Sequence, residues 1–364
     1  MHVPPIYIGY VATLDDVASA AGVSKSVASR ALTGDTRARM SDSTRARVLA
    51  AAAQLDYVPN ARARALRQSR SGAIGLVVPD VNNSVFADML AGVHLATAAG
   101  GTDVLLGQVD PPPAGAQQLS RLVREGRVDG ILIQRREDFD DEMLAGVLRP
   151  DLPAITVNSR LPDRVGSVIL DDQRGAALAT EHLIGLGHRR IAFVSGTPTH
   201  DTARRRETGF VDAMQAADLN PEWIVSAGWE ADAGARATEM LIHEHRLGAA
   251  DGPTAVVVAS VNAAVGALST ALRLGRKVPH DLSIIAINTT WVSNTVYPAI
   301  STVKMPLRRL GELAATMLLD HLGGAALADI VVTDPAPELL IRDTTAPPGL
   351  TAMRSTVSRR GRFR

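Results

Sequence analysis

The sequence contains no cysteine in 364 residues. That excludes a disulfide scaffold, a Cys-ligated zinc site, an iron–sulfur cluster and a cysteine nucleophile. It also lacks a net charge, with 38 basic against 38 acidic groups, a balance that on its face speaks against a nucleic-acid partner. Long apolar runs are missing too. Windows 252–272 and 282–303 are uncharged, but Pro253, Ser260 and Asn262 interrupt the first, and Asn288, Thr289, Asn294 and Pro298 the second. A membrane span needs about 20 mainly apolar residues, so both windows read as buried strands with their neighbours. Residues 1–12 have neither a basic start nor an apolar stretch, so no signal peptide, no membrane contact and a cytoplasmic location are expected.

Catalytic signatures are equally thin. No GxxxxGK[ST] phosphate loop and no GxSxG elbow is present. The HEH run at 243–245 has the wrong spacing for HExxH and reads as a solvated helix face. His182 and His188 flank a GLG near a helix end, where an imidazole caps carbonyls or meets the helix dipole. No catalytic residue, no metal ligand and no cofactor is expected, and the chain does not read as an enzyme.

The zero charge balance conceals three unlike segments. Residues 1–72 carry ten basic and five acidic groups, a balance of +5; residues 73–345 carry 23 and 33, a balance of −10; residues 346–364 carry five arginines and no acid. Asymmetry of this kind points to a nucleic-acid or membrane contact at an end.

Residues 13–32 read TLDDVASAAGVSKSVASRAL. Thr13 suits a helix cap, and Asp15 and Asp16 suit the positive end of a first helix. Gly22 stands where a tight turn needs a permissive backbone, and Ser24 suits the cap of a second helix. Ser41 suits the cap of a third, over 42–55. The expected mini-core is Val17, Val23, Ala28 and Leu32, with Val48 and Leu49 added by the third helix. This is a helix-turn-helix pattern whose second helix turns Lys25, Ser26, Ser29 and Arg30 outward, near the end that meets base edges in a major groove. Arginine grips guanine bidentately; Ser and Lys serve bases or phosphates. The bland alternative is a helical hairpin with solvated charges.

Next comes YVPNARARALR, residues 57–67. A helix this short is marginal alone. Bound to DNA beside a second copy it could order, with Arg62, Arg64 and Arg67 toward phosphates and Leu66 as an apolar minor-groove wedge. A basic linker is the plain alternative.

Residues 73–345 alternate strand-like and helical stretches. Strand-like runs are AIGLVV (73–78), DVLL (103–106), GILI (130–133), AITV (154–157), SVIL (167–170), RIAFV (190–194), AVVVA (255–259) and LSIIAI (282–287). Helical patterns fill 84–99, 115–126, 173–186, 202–217, 231–246 and 262–274. Continuous Val/Ile/Leu strands belong to parallel sheets covered on both faces, and the alternation implies βαβ units. The strands are too many for one modest sheet, so two doubly wound subdomains with a cleft between them are expected.

These motifs together resemble the LacI/GalR-type transcription regulators. The resemblance rests on TLDDVASAAGVSKSVASRAL, STRARVLAAAAQLDYVPN, ARALR, GAIGLVVPDVNNSVFADML, RVDGILI, DQRGAALATEHLIGLGHRRIAFVSG and TARRRETGF, and spans about residues 13–345. It implies an all-α helix-turn-helix head over 13–58, a hinge helix over 59–71 and a periplasmic-binding-protein-like α/β core over 72–345. Crossovers in the core are expected near 170, 302 and 330, and 346–364 reads as a basic tail. It further implies a homodimer, a double-stranded DNA operator as partner and a small-molecule effector. The expected DNA-binding set is Thr13, Ser24, Lys25, Ser26, Ser29, Arg30, Asn60, Arg62 and Leu66. Family members read bases with residues matching Lys25, Ser26 and Arg30, and intercalate a leucine matching Leu66. Two departures stand out. The usual Thr-Val before Ser29 is Val27-Ala28, and the stretch TGDTRARM is about two residues longer than the family norm, with extra Arg37 and Arg39.

For the cleft, loops after strands supply the candidates. They are Asp80, Asn83 and Phe86 after the first strand, Gln134 and Arg135 after the third, and Asp172 at the first crossover. Arg204 in TARRR, Trp229, Val261 and Asn288 complete the set. Here the family pattern fails: the usual Ala-Asn-Asp is Ala259-Ser260-Val261, and the usual Gly-Phe-Asp-Asp is Ala286-Ile287-Asn288-Thr289. Two carboxylates that hold sugar hydroxyls are gone. The expectation is a less hydroxylated or anionic effector facing Arg204 and Arg135, with loss of effector response as the alternative. The rival class is a solute-binding or enzymatic α/β protein, against which residues 1–72 speak.

Overall fold

The structure is a computed structural model of the whole chain. It describes residues 12–32, 40–58, 70–111, 114–135, 138–139, 141–148, 153–161, 166–249 and 251–349. These fall in two compact units that meet in sequence at Ser71 and Gly72.

Among its described residues the first unit holds three helices, α1 (Leu14–Ala21), α2 (Lys25–Leu32) and α3 (Asp42–Gln54). A reciprocal capping box starts α1: Thr13 N–H donates to Asp16 Oδ2 at 2.8 Å, and Asp16 N–H donates to Thr13 Oγ1 at 3.4 Å. Two orphan amides are thereby satisfied. Gly22 ends α1 in the left-handed region at φ 65°, and Val23 N–H returns to Ala18 O at 3.0 Å. An L side chain is disfavoured at that φ, so glycine fits the turn. Ser24 Oγ accepts from Val27 N–H at the start of α2, and Ser41 Oγ accepts from Thr44 N–H at the start of α3. The core is small-residue packing of Val17, Ala18, Ala21, Ala28, Ala31, Val48, Ala51 and Ala52. Leu49, expected inside, is 48% exposed. Val48, Ala51 and Ala52 share one stripe at i, i+3 and i+4, and Leu49 is turned about 100° away from Val48.

Among its described residues the second unit contains twelve strands in two six-stranded sheets. The first sheet takes β1 (Ala73–Val78), β2 (Asp103–Gln108), β3 (Gly130–Ile133), β4 (Ala154–Val157), β5 (Ser167–Leu170) and, from far along the chain, β11 (Asp329–Val332). Its order is β2-β1-β3-β4-β5-β11, parallel throughout. Leu76 stands between Leu106 and Leu132 in register. Helices α4 (Val85–Ala98), α5 (Ala114–Arg124) and α6 (Asp141–Val147) connect the early strands.

The second sheet takes β6 (Ile191–Ser195), β7 (Trp223–Ser226), β8 (Ala255–Val258), β9 (Ser283–Ile287), β10 (Ser301–Lys304) and β12 (Glu338–Leu340). Its order is β7-β6-β8-β9-β10-β12, and only β12 runs antiparallel. Its helices are α7 (Asp172–Gly185), α8 (Asp201–Ala216), α9 (Ala231–Glu244), α10 (Val261–Arg273) and the short α11 (Trp291–Thr295). Helix α12 (Leu307–Leu322) returns to pack on α4 and on β3–β5. The chain therefore passes between the sheets after Leu170, after Lys304 and after Val332.

Strands β1, β3–β6, β8 and β9 are buried along their whole length. Each Val, Ile or Leu so buried contributes about 1.5–3 kcal/mol. Both sheets reverse their winding at an interior strand pair, β1/β3 in one and β6/β8 in the other. At such switch points the following loops diverge and leave a crevice at the carboxyl ends of the strands. Helices α7 and α8 cross closely at Gly209, where a Cβ would lie 2.0 Å from Gln173 O.

Candidate functional site

In the first unit, the start of α2 is the candidate DNA face. Ser24, Lys25, Ser26 and Arg30 are exposed there, Ser29 is half-buried, and Thr13 is exposed at its cap. Lys25 Nζ meets Asp15 Oδ2 at 2.7 Å, with both side chains more than 60% exposed. An exposed pair of this kind is worth at most about 1 kcal/mol, so it yields readily to a phosphate. Asn60, Arg62 and Leu66, with Arg37, Arg39, Arg64 and Arg67, lie outside the described residues.

In the second unit a cavity of ≈ 710 Å³ opens where the carboxyl ends of the two sheets face each other. From the first sheet come Asp80, Asn83 and Phe86 after β1, Gln108 at the end of β2, Gln134 and Arg135 after β3, and Asn158 after β4. From the second come His200, Thr202 and Arg206 after β6, Trp229, Glu230, Asp232 and Arg236 after β7, Ser260 after β8 and Asn288 after β9. The cavity thus gathers seven of the ten residues expected from sequence: Asp80, Asn83, Phe86, Gln134, Arg135, Trp229 and Asn288.

The other three fall elsewhere. Arg204 is exposed on α8, where its Nη1 donates to the carbonyls of Pro198 and Thr199 at 3.3 and 3.2 Å. Val261 is fully buried in the apolar core at the start of α10. Asp172 is fully buried beneath the cavity, where it binds two arginines. Its Oδ1 accepts from Arg206 Nε at 2.7 Å, and its Oδ2 from Arg205 Nη2 at 2.7 Å.

The cavity's arginine on α8 is therefore Arg206, two residues on from the expected one. The inward phase of α8, which the fold supplies, is what singles it out. Thr202, Arg206, Phe210 and Met214 lie at helical spacing, and all four are buried. An arginine within an apolar stripe needs a buried carboxylate, and Asp172 is that group. Arg206 Nη1 also donates to Ala259 O, and its Cζ stands 5.5 Å from the Trp229 ring centroid, a cation–π contact. Ser260 Oγ donates to Trp229 O at 2.7 Å and fixes that loop.

The cavity walls are tied together at Asn158. Its carbonyl, after β4, accepts from Thr202 Oγ1 of α8 at 2.7 Å. Its Oδ1 accepts from Leu170 N–H at 3.2 Å and from Arg205 Nη2 at 3.3 Å. Asn288 has φ 72°, a left-handed conformation that asparagine tolerates better than most residues. Trp229 Nε1 and Asn288 Oδ1 are buried polar atoms of the cavity lining with no hydrogen-bond partner among the described residues. Orphans of this kind cost about 1–3 kcal/mol each unless a ligand or water meets them.

No group of three His, Asp or Glu among the described residues is placed to hold a metal ion. No helix among them is long and apolar enough to cross a membrane.

Comparison with known proteins agrees with both halves. Residues 13–60 match the family model described as bacterial regulatory proteins, lacI family, and residues 180–345 match a periplasmic binding protein-like domain. The HTH-type transcriptional repressor PurR of Vibrio vulnificus is 30% identical over 338 residues, covering 92% of this chain and 98% of that protein. The probable HTH-type transcriptional repressor ExuR of Bacillus subtilis is 28% identical over 84% of this chain and 90% of its own. Among solved structures, a LacI family transcriptional regulator from Mycobacterium smegmatis is 68% identical with a TM-score of 0.74, covering 76% of this chain and 99% of that one. The lac repressor dimer bound to operator and the anti-inducer ONPF is 27% identical with a TM-score of 0.79, covering 93% of this chain and 100% of that one.

Proposed function

Because the chain belongs to the lacI family of bacterial regulatory proteins, we propose that it is a transcription repressor that binds operator DNA as a homodimer and is governed by a small molecule in the core cavity. The observation that carries this reading is the pairing, in one chain, of a capped helix-turn-helix with a cavity lined from both sheets. Arg30, Lys25 and Ser26 on α2 read base edges, and Thr13 and Ser24 hold the two helix starts that set its angle. Asn60, Arg62 and Leu66 follow as backbone contacts and wedge. The segment charges of +5 and −10 orient the encounter, drawing residues 13–70 to phosphate and holding the core away.

Two half-sites on a pseudo-palindrome need two heads, hence a dimer. Exposed apolar residues support a surface for it: Leu95 on α4 with Leu105 and Leu106 on the edge strand β2, and Trp291 and Tyr297 near α11. Control works through closure. A ligand touching both sheets favours the arrangement in which Thr202 holds Asn158. Its effect on DNA binding equals its differential affinity for the two arrangements, typically about 1–3 kcal/mol. The relatives matched are repressors, and this chain is read as a binding protein with no catalytic role.

The test is selection of DNA fragments by the purified full chain, with and without a metabolite panel. Enrichment of one inverted repeat, lost or gained with a metabolite, is the expected result. Recovery of fragments with no shared sequence would end the proposal.

A further inference from the structure

The helix-turn-helix hairpin carries no net charge. Residues 13–32 hold two cationic groups, Lys25 and Arg30, against two acids, Asp15 and Asp16. Residues 33–72 hold eight cationic groups against three acids. The whole excess of +5 in residues 1–72 therefore lies outside the two helices of the candidate DNA face.

The two acids of the hairpin are used differently. Asp16 is committed to the start of α1, where its Oδ2 accepts from Thr13 N–H at 2.8 Å and from Thr13 Oγ1 at 2.6 Å. Asp15 is not a member of that capping box. Its Oδ2 accepts from Lys25 Nζ at 2.7 Å, across the turn at Gly22 and ten residues along the chain. Asp15 stands second in α1 and Lys25 first in α2. The two side chains are 65% and 61% exposed, so a duplex lying on the start of α2 meets the pair rather than a lone lysine.

A lysine that leaves a carboxylate for a phosphate exchanges one anion for another. The carboxylate left behind takes up a cation from solution, so the step releases no net counterion. Sequence-independent binding is driven by such release, and a lysine paired in this way adds little to it. A base edge is met differently. An ammonium has three N–H donors, of which Asp15 takes one, so the others stay available to acceptors such as guanine O6 and N7. Held by Asp15, the side chain also has less rotamer freedom to lose when a base engages it.

Resting on the reading of α2 as the DNA face, we infer that Asp15 is a selectivity-setting residue. By holding Lys25 it removes one unit of phosphate attraction from each head and leaves the lysine able to donate to a base. It weakens the grip on random DNA more than the grip on the operator, and so raises the ratio between them. Asp15 acts through Lys25 and is not itself a base contact.

The experiment uses the full chain, a random-sequence duplex and the inverted repeat enriched in the DNA selection. Binding is followed by fluorescence anisotropy between about 50 and 300 mM KCl. In Asp15→Asn the random duplex should bind several-fold more tightly, and the slope of log affinity against log salt should steepen by about 0.9 per head. The ratio of operator to random affinity should fall at least about threefold. Asp15→Glu, which keeps the charge, should behave as the parent does. With Lys25→Met already in place, adding Asp15→Asn should move neither slope nor ratio. Should circular dichroism show a loss of helix in Asp15→Asn, Asp15→Ser, which suits the first turn of α1, takes its place.

A slope and ratio equal to the parent's overturn the proposal. The same steepening with Lys25→Met in place overturns it as well, because Asp15 would then be a plain repelling charge. Operator binding lost while random binding is kept would make Asp15 an acceptor for a base amino group, and that result also overturns it. A parent chain that binds neither duplex, or selects no shared sequence, counts instead against the DNA-face reading and takes the proposal with it.

Discussion

Arg206 donates through Nε to Oδ1 of Asp172 at 2.7 Å, and the two side chains are 2% and 0% exposed. The pair joins the first turn of α7 to the second turn of α8 and sets the cavity floor under Trp229. Breaking a buried ion pair from one side leaves an uncompensated charge, which costs about 3–5 kcal/mol. Asp172→Ala should lower the core's unfolding free energy by that amount in urea titrations. Arg206→Met keeps much of the volume and leaves Asp172 paired through Oδ2 with Arg205, so it should cost less stability. Equal losses for the two variants would mean that packing, not the charge, governs the site.

The head makes a separable prediction. Arg30→Ala should cost about 1–3 kcal/mol of discrimination between operator and mutated operator, because a bidentate base contact is lost. Arg62→Ala, from sequence a phosphate contact, should weaken binding evenly on all sequences and flatten the salt dependence. Gel-shift titrations on both DNAs separate the two. Operator preference unchanged in Arg30→Ala would remove it from the reading set.

At the start of α1 the expected change is in stability. Thr13→Ala deletes the oxygen that accepts from Asp16 N–H and disrupts the reciprocal box. A cap of this type contributes about 1 kcal/mol. Thermal unfolding followed by circular dichroism of the full chain should show the helical head loosening first, with operator affinity lowered and sequence preference kept.

His188 supplies a pH dependence. Its Nδ1 lies 2.8 Å from Thr254 Oγ1 and its Nε2 2.9 Å from Ala346 O, so one imidazole holds the segment after β12 against the second sheet. Burial pushes both His188 and His182 below the ordinary imidazole value of 6.5. A group that resists protonation in the folded state contributes its full stability above that value, and loses it as the pH falls below it toward the folded pKa. Tm should therefore decline on the acid side of 6.5, and less steeply in His188→Gln. An identical slope in the variant would exclude His188 as a source.

Gly209→Ala tests the helix crossing that positions Arg206. The added methyl would stand 2.0 Å from Gln173 O, and a backbone carbonyl cannot swing aside as a side chain can. The helices must separate, at a cost of about 1–3 kcal/mol, with weaker effector binding measured by calorimetry. Parent-like values of both would show that α7 and α8 yield without disturbing the cavity.

Much of the fold was legible because its signals are local. Val/Ile/Leu runs marked β1–β6, β8 and β9, and capping residues marked the three head helices. Strand β7 escaped because WIVS is only partly buried, β10 and β12 because STVK and ELL are short and carry polar or charged residues, and β11 because DIVV is a largely exposed edge strand. At the site, residues directly after strands could be named from topology, whereas the arginine could not. Arg204, Arg205 and Arg206 are chemically identical neighbours, and only the phase of α8 separates them.

The sequence alone determined the family, the helix-turn-helix, the two-sheet core and the segregation of charge, since each is written in residue order or spacing. Tertiary structure alone decided which arginine enters the cavity and that Asp172 is committed to arginines. The physical reason is that a charged group's effect depends on its partner within a few ångströms. Asp172 and Arg206 are 34 residues apart in the chain and become partners only when α8 folds against α7.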